Sequence, residues 1–177
     1  MGDYTSQVGL ARCMNAVLIV LICPRAHEVA VAGLQKLGIL DQSKTTQELL
    51  DSKVTTRFFP HGLGHMLGQL THDVGGNANY EDEDEMFRYL RIRGKLPAGA
   101  VVTNEPGIYF REFPMRQELK DGKWDGIIDQ TVLKTYWAVG GVRIEDDVLV
   151  KEDGYENLTT VLSDVESVEA MVSGRKS

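Results

Sequence analysis

Three separated stretches carry residue types able to do chemistry together: His61-Gly-Leu-Gly-His65 running on to His72-Asp-Val-Gly, then Glu105-Pro-Gly-Ile-Tyr, then Gly-Val-Arg143-Ile-Glu145-Asp. One imidazole and two carboxylates on ordered segments are the nitrogen and oxygen donors that a hard-to-borderline divalent cation selects. Such a set supports metal-assisted hydrolysis, and the chain reads as a metal-dependent hydrolase or a piece of one. Taken singly, His61, His65 and His72 are unremarkable, and Arg143 could be a plain ion-pair partner. Their joint occurrence is what carries the reading.

The elements that must position these groups follow from local pattern. His61 and His65 have the spacing of a helical metal pair, but Pro60, Gly62 and Gly64 make a helix improbable there, so the two rings need not share one metal. Residues 101–110 begin as a β-rich run that breaks at Pro106-Gly107, which puts Glu105 at a strand end. Residues 141–150 alternate as one strand, with Val142, Ile144, Val148 and Val150 on one face and Arg143, Glu145, Asp147 and Leu149 on the other. A buried Arg143 beside Glu145 would keep that carboxylate ionised, the form that binds metal. Upstream, residues 27–37 place Ala30, Leu34 and Leu37 on one helical face with Gly38 as the closing residue, and Thr45 or Thr46 can cap a second short helix through Leu49 and Leu50. The acidic run at 81–85 lacks the ligand spacing and central glycine of a calcium loop and reads as a solvated loop; residues 112–129 read as a surface excursion between strands.

Size and charge bound the rest. The length of 177 residues and the 42% hydrophobic content suit a single globular unit. A net charge of −7, with no basic cluster to offset it, disfavours nucleic acid as a partner. Both cysteines, Cys13 and Cys23, lie near the start, which gives neither a disulfide framework nor a thiolate metal site and points to a reducing, cytoplasmic setting. The apolar run at 14–23, preceded by Arg12 and ended by Pro24, is too short to span a bilayer, follows a stretch at 1–7 that is not especially basic, and is not followed by a convincing small-residue cleavage site. It reads as a buried strand or a foreign leader, and no membrane partner is expected.

In their order and wording the three motifs resemble the C-terminal part of the catalytic domain of Xaa-Pro dipeptidases (prolidases), among the pita-bread metallopeptidases of family M24 that also include aminopeptidase P, methionine aminopeptidase and creatinase. The resemblance implies a partial pita-bread fold of the α+β class, a curved antiparallel sheet with flanking helices. It divides the chain into an unassigned segment at 1–25, the catalytic-domain portion at 26–165 and a tail at 166–177. It implies that His65, Glu105 and Glu145 bind metal, usually manganese with two ions per site in the complete family. It implies too that His61 and His72 line the substrate site next to the catalytic Glu105, and that Arg91, which has Arg88 and Arg93 for close neighbours, holds the free carboxylate of a dipeptide, with Arg143 also facing substrate. The expected partners are small Xaa-Pro dipeptides and a second copy of the chain in a homodimer.

One departure from that pattern stands out. The family carries two metal-binding aspartates in an Asp-x10-Asp pattern upstream of the histidine motif, whereas the aspartates before His61 are Asp3, Asp41 and Asp51, none with that spacing. The three remaining ligands would hold one cation or none. The expectation is therefore a peptidase that cleaves the bond before a C-terminal proline, as a fragment with reduced or no activity. The alternatives are a non-catalytic remnant acting as a binding or regulatory module, and an aminopeptidase P-like enzyme.

Overall fold

The computed structural model describes residues 19–174. The first helix, α1 (Ile19–Lys36), runs through Pro24, so the apolar stretch does not stop at the proline as its sequence suggests. The ring removes one N–H from the early turns of the helix and leaves the following residues free to continue it. Residues 14–18 of that stretch lie outside the described residues. The helix closes as expected: Gly38 takes φ +75, Ile39 N–H donates to the Leu34 carbonyl, and Ala30 and Leu34 are buried. Helix α2 (Thr46–Asp51) starts from Thr45, whose hydroxyl accepts from the Glu48 amide while the Glu48 carboxylate accepts from the Thr45 amide. Two orphan backbone donors are thereby satisfied. A 3-10 turn (Val54–Arg57) follows.

Strands β1 (Val101–Asn104) and β2 (Gly107–Tyr109) precede helices α3 (Glu112–Lys120) and α4 (Gln130–Tyr136), and β3 (Gly141–Arg143), β4 (Asp146–Lys151), β5 (Gly154–Asn157) and α5 (Val165–Val172) complete the order. The sheets are antiparallel throughout, in the order β1-β4-β5 and, as a separate pair, β2-β3. This is the antiparallel sheet with flanking helices expected of the α+β class. Among the described residues no helix is long and apolar enough to cross a membrane.

The predicted single strand at 141–150 is two strands, and the reason lies in its partner. Pro106 has no N–H to give, so its pair with Ile144 keeps only one bond, from the Ile144 N–H to the Pro106 carbonyl, and the regular ladder is interrupted between β1 and β2 and likewise between β3 and β4. The register nevertheless runs through unchanged from Asn104↔Asp146 to Gly107↔Arg143, which sets Glu105 directly across from Glu145. The predicted apolar face is also divided: Val148 and Val150 are buried, whereas Val142 and Ile144 are exposed.

Two clusters make the core. Val102, Val148 and Val150 project from the sheet onto Phe59, Leu63, Leu90 and Ile92. The second unites the helices: Val31 and Leu34 of α1, Leu49 of α2, Met115 and Leu119 of α3 and Leu133 of α4, with Phe58, Phe110, Trp124 and Ile128. Residues 112–129 are therefore no surface excursion. Met115 and Leu119, one turn apart on α3, and Trp124 and Ile128 in the turns that follow are buried, which the turn-rich Lys120–Gly126 stretch hides in the sequence.

A third run, residues 63–67, lies along the free edge of β1: Thr103 N–H donates to the His65 carbonyl, Glu105 N–H to the Leu63 carbonyl and Leu67 N–H to the Val101 carbonyl. The approach is close at Gly64, where a Cβ would fall 1.8 Å from the Thr103 carbonyl oxygen. Gly64→Ala is expected to lower unfolding stability by about 3 kcal/mol, because backbone cannot yield as a side chain can. Gly33→Ala, in the middle of α1 with open space around it, is expected to raise stability by about 0.5–1 kcal/mol through helix propensity. Urea unfolding of both variants measures these opposite signs.

Candidate metal centre

Three neighbouring backbone runs, 63–67, β1 and the β3–β4 junction, bring His65, Thr103, Glu105 and Glu145 to one face of the sheet, opposite the face that packs on Val102, Val148 and Val150. One ligand atom from each of His65, Glu105 and Glu145 lies within 4.8 Å of the others. His65 and Glu105 are buried, and Glu145 sits at the exposed rim.

The local hydrogen bonds decide what this cluster can accept. His65 Nδ1 is 2.9 Å from the Met66 carbonyl oxygen, which can only accept, so the proton sits on Nδ1. Nε2 is then the nitrogen that faces Glu105 Oε1, 3.2 Å away. Across the ladder Glu105 faces a second carboxylate, a like-charge pair that costs on the order of 0.2–1 kcal/mol even on an open sheet. Thr103 Oγ1 donates to Glu105 Oε1 at 3.1 Å and itself accepts from the His65 amide. Arg143 donates to Glu105 Oε2 at 3.0 Å and stands 3.8 Å from Glu145 Oε2. It is half-exposed rather than buried as expected, so water screens much of its compensation. Two carboxylates and an imidazole lone pair, aimed together and backed by a protonated Nδ1, form a donor set that fits a divalent cation.

The other sequence-predicted residues line the space beside this cluster. The His72 ring packs edge-on to His65 with centroids 4.4 Å apart, and the nearby positive charge of Arg91 holds the His72 imidazole below its ordinary pKa. His61, Glu105, Arg91 and Arg143 border one cleft of about 520 Å³, and His65, His72 and Arg91 border a second of about 240 Å³. Among the three arginines at 88–93 the structure separates roles. Arg88 and Arg93 are bound to carbonyls and carboxylates of their own loop, whereas Arg91 has no ion-pair or hydrogen-bond partner among the described residues and borders both clefts.

Sequence reasoning missed Thr103, Tyr109 and Arg111. Tyr109 Oη lies 2.9 Å from His61 Nε2, and Arg111 borders the larger cleft. Alternation from Glu105 is the signal that would have found them, since the residue two positions before it and those four and six positions after it return to the same face.

The loop that carries Arg91 is anchored by charge. Asp82, Asp84 and Glu85 belong to the acidic run, yet they are paired with Arg93, Lys53 and Arg57 at 2.7–2.8 Å. They are not the fully solvated loop that composition suggests. Arg57 also grips Glu118 of α3 through two hydrogen bonds. Burial raises the Glu118 pKa, but donors from Arg57, Lys123 and Trp124 outweigh it and hold the carboxyl at about 2. Behind the site, His27 is buried against Phe59 and hydrogen-bonded to Thr55 through Nδ1, with Nε2 lacking a partner.

The sequence profile of metallopeptidase family M24 matches residues 10–152. A probable Xaa-Pro aminopeptidase of Pyricularia oryzae is 55% identical over 148 residues, 84% of this chain and 32% of that protein. Another, of Talaromyces stipitatus, is 52% identical over 165 residues, 93% of this chain and 35% of that protein. The chain thus spans about a third of the length of the curated relatives it matches. Among solved structures, Escherichia coli aminopeptidase P with the inhibitor Pro-Leu is similar with a TM-score of 0.68 and 32% identity over 97% of this chain and 33% of that one. Proline aminopeptidase P II from Yersinia pestis gives 0.65 and 29% over 93% and 31%. The architecture is that of part of the pita-bread fold.

Burial, aided by the positive charge of Lys53, pushes the His27 imidazole down to about 4. Unfolded, the ring takes up a proton near its ordinary 6.5, so between pH 6.5 and about 4 the unfolded chain binds more protons and stability falls as pH falls. Urea unfolding at stepped pH is expected to show a loss of about 3 kcal/mol across that window, full stability above it, and a markedly shallower slope in His27→Gln.

Proposed function

Because the chain belongs to metallopeptidase family M24, we propose that it carries part of the catalytic site of an Xaa-Pro aminopeptidase, which releases the residue ahead of a proline from the start of a peptide. The observation that carries this reading is the convergence of His65, Glu105 and Glu145 on one face of three adjacent backbone runs. The names of its relatives support a peptide substrate longer than two residues. The portion assigned to the catalytic domain is residues 26–165, working in a cytoplasmic setting.

His65 through Nε2 and Glu105 and Glu145 through their carboxylates would hold the cation, for which manganese suits an oxygen-rich set. When bound, such a cation supplies Lewis acidity toward a carbonyl and lowers the pKa of water. The protein's own groups do the rest. Arg143 and the Thr103 hydroxyl hold the Glu105 carboxylate in place by two hydrogen bonds. His61 gives its Nδ1 proton to the Gly62 carbonyl and accepts the Tyr109 hydroxyl proton at Nε2, so both nitrogens are engaged. His72 is then the histidine with an N–H to offer to a substrate carbonyl or a developing oxyanion. Arg91, without a partner of its own, presents a guanidinium fork to a carboxylate.

That free fork is also the observation that favours the second reading, a dipeptidase, since a carboxylate held by Arg91 beside Glu105 would cap the cleft at two residues. Comparing hydrolysis of Gly-Pro with that of Gly-Pro-Ala by the manganese-loaded chain separates the two: faster cleavage of the tripeptide supports the aminopeptidase, and faster cleavage of the dipeptide reverses the assignment.

Calorimetric manganese titration tests the site itself. His65→Ala and Glu145→Ala are each expected to weaken binding by roughly 100-fold or more, and Glu83→Ala, in the acidic loop, is expected to leave it unchanged. Equal affinities for the three variants would refute the ligand assignment.

A further inference from the structure

The face that presents Glu105 continues along the chain through Gly107 and Tyr109 to Arg111. The Tyr109 ring is seated against backbone that only glycine allows: a Cβ on Gly107 or on Gly141 would come within 2.6 Å of it. Arg111 Cζ lies 5.9 Å from the centroid of that ring, a cation–π contact that holds the guanidinium in the lining of the larger cleft. Arg111 also precedes α3 as its N-cap residue, yet its side chain makes no capping bond and has no carboxylate partner among the described residues.

The charge balance of the cleft is unlike that of the chain. Its lining holds Arg91, Arg111 and Arg143 against one carboxylate, Glu105, which Arg143 already binds. In a chain of net charge −7, two guanidiniums are thus left to face the cleft without compensation. Arg91 adjoins His72 at the neighbouring smaller cleft, whereas Arg111 adjoins Tyr109 and thereby His61. Two cations in different surroundings suit a ligand with two separate anionic groups better than a ligand with one.

We infer that Arg111 is a specificity-determining residue that selects substrates with an acidic side chain ahead of the proline. The inference rests on the Xaa-Pro reading of this site and deepens it: Arg91 takes the terminal carboxylate of a short peptide, and Arg111 takes the side-chain carboxylate of a Glu or Asp at the first position. A planar fork on an aromatic face is well matched to a carboxylate, which it can bind through two parallel hydrogen bonds.

The test is calorimetric binding of Glu-Pro and Gln-Pro to the metal-free 177-residue chain, which reads recognition independently of turnover. The wild-type chain is expected to bind Glu-Pro roughly tenfold more tightly than Gln-Pro, the equivalent of one charge-assisted hydrogen bond. Arg111→Met, which keeps an unbranched stem over Tyr109, is expected to erase that ratio and leave Gln-Pro affinity unchanged, with Arg111→Lys restoring part of it. Arg91→Met is expected to weaken both peptides equally. A ratio near one in the wild type, or a tenfold ratio that survives in Arg111→Met, overturns the inference, and the loss of both peptides in Arg91→Met would leave the Xaa-Pro reading standing. Failure of the wild-type chain to bind either dipeptide overturns the inference, and the Xaa-Pro reading is then decided separately by cleavage of Gly-Pro-Ala.

Discussion

A single unbroken register holds the site together. Antiparallel pairing keeps step from β1–β4 to β2–β3 past Pro106, which loses one bond of its pair with Ile144, and at the adjacent position Glu105 and Glu145 face each other. On an ordinary sheet two carboxylates in direct opposition repel, and Glu105 is nearly buried besides. The fold keeps this unfavourable pair because backbone geometry imposes it. Pro106 removes one donor from the neighbouring pair with Ile144, and Gly107 and Arg143 resume pairing at once. Local repulsion tolerated by a rigid frame is the state in which a cation gains most from binding, since it replaces repulsion with attraction at no cost in rearrangement.

The rest of the structure serves that frame. The face of the sheet away from the carboxylates is fixed by Val102, Val148 and Val150 packing on Phe59 and Leu63, and the irregular run 63–67, bonded along β1, places His65 beside Glu105 on the other side. The helical core stands to one side and reaches the site indirectly. Arg57 ties Glu85 of the loop to Glu118 of α3, and burial of the network makes these bonds stronger than surface pairs of the same length. Cys23, under the same sheet, has its thiol pushed up to about 12 by burial and is chemically quiet.

Sequence legibility followed the range of the interactions concerned. Helix ends at Gly38 and Thr45 were readable because they are set by one residue's own backbone and side chain. Glu105 at a strand end was readable for the same reason, with Pro106 as the mark. The split of 141–150 into β3 and β4 was not, because its cause is a proline nearly forty residues away along the chain. The buried residues of α3 escaped notice because Met115 and Leu119 are interleaved with charged residues, and the glycine turns around Trp124 that follow weigh more heavily in a local reading. The pairing of the acidic run was hidden likewise: composition gives the charge of Asp82, Asp84 and Glu85 but says nothing of the arginines and lysine that fold against them. His65, Glu105 and Glu145 were legible as a set only through three motifs in order.

Donors and recognition groups come from different kinds of backbone. The three donor atoms sit on or beside strands whose positions are fixed by hydrogen bonds and by a core beneath them. His61, His72 and Arg91 sit on irregular segments, and Arg111 on the connection between β2 and α3. A change in the second group alters which ligand fits without disturbing the register that holds the first, because loop side chains carry little of the core. Arg143 belongs to both groups. Its backbone is paired in β3, its guanidinium bonds Glu105, and its outer half is open to the cleft. A ligand that drew Arg143 away would release Glu105 from its restraint, and one that left it in place would meet the guanidiniums of Arg91 and Arg111, which have no carboxylate partner among the described residues.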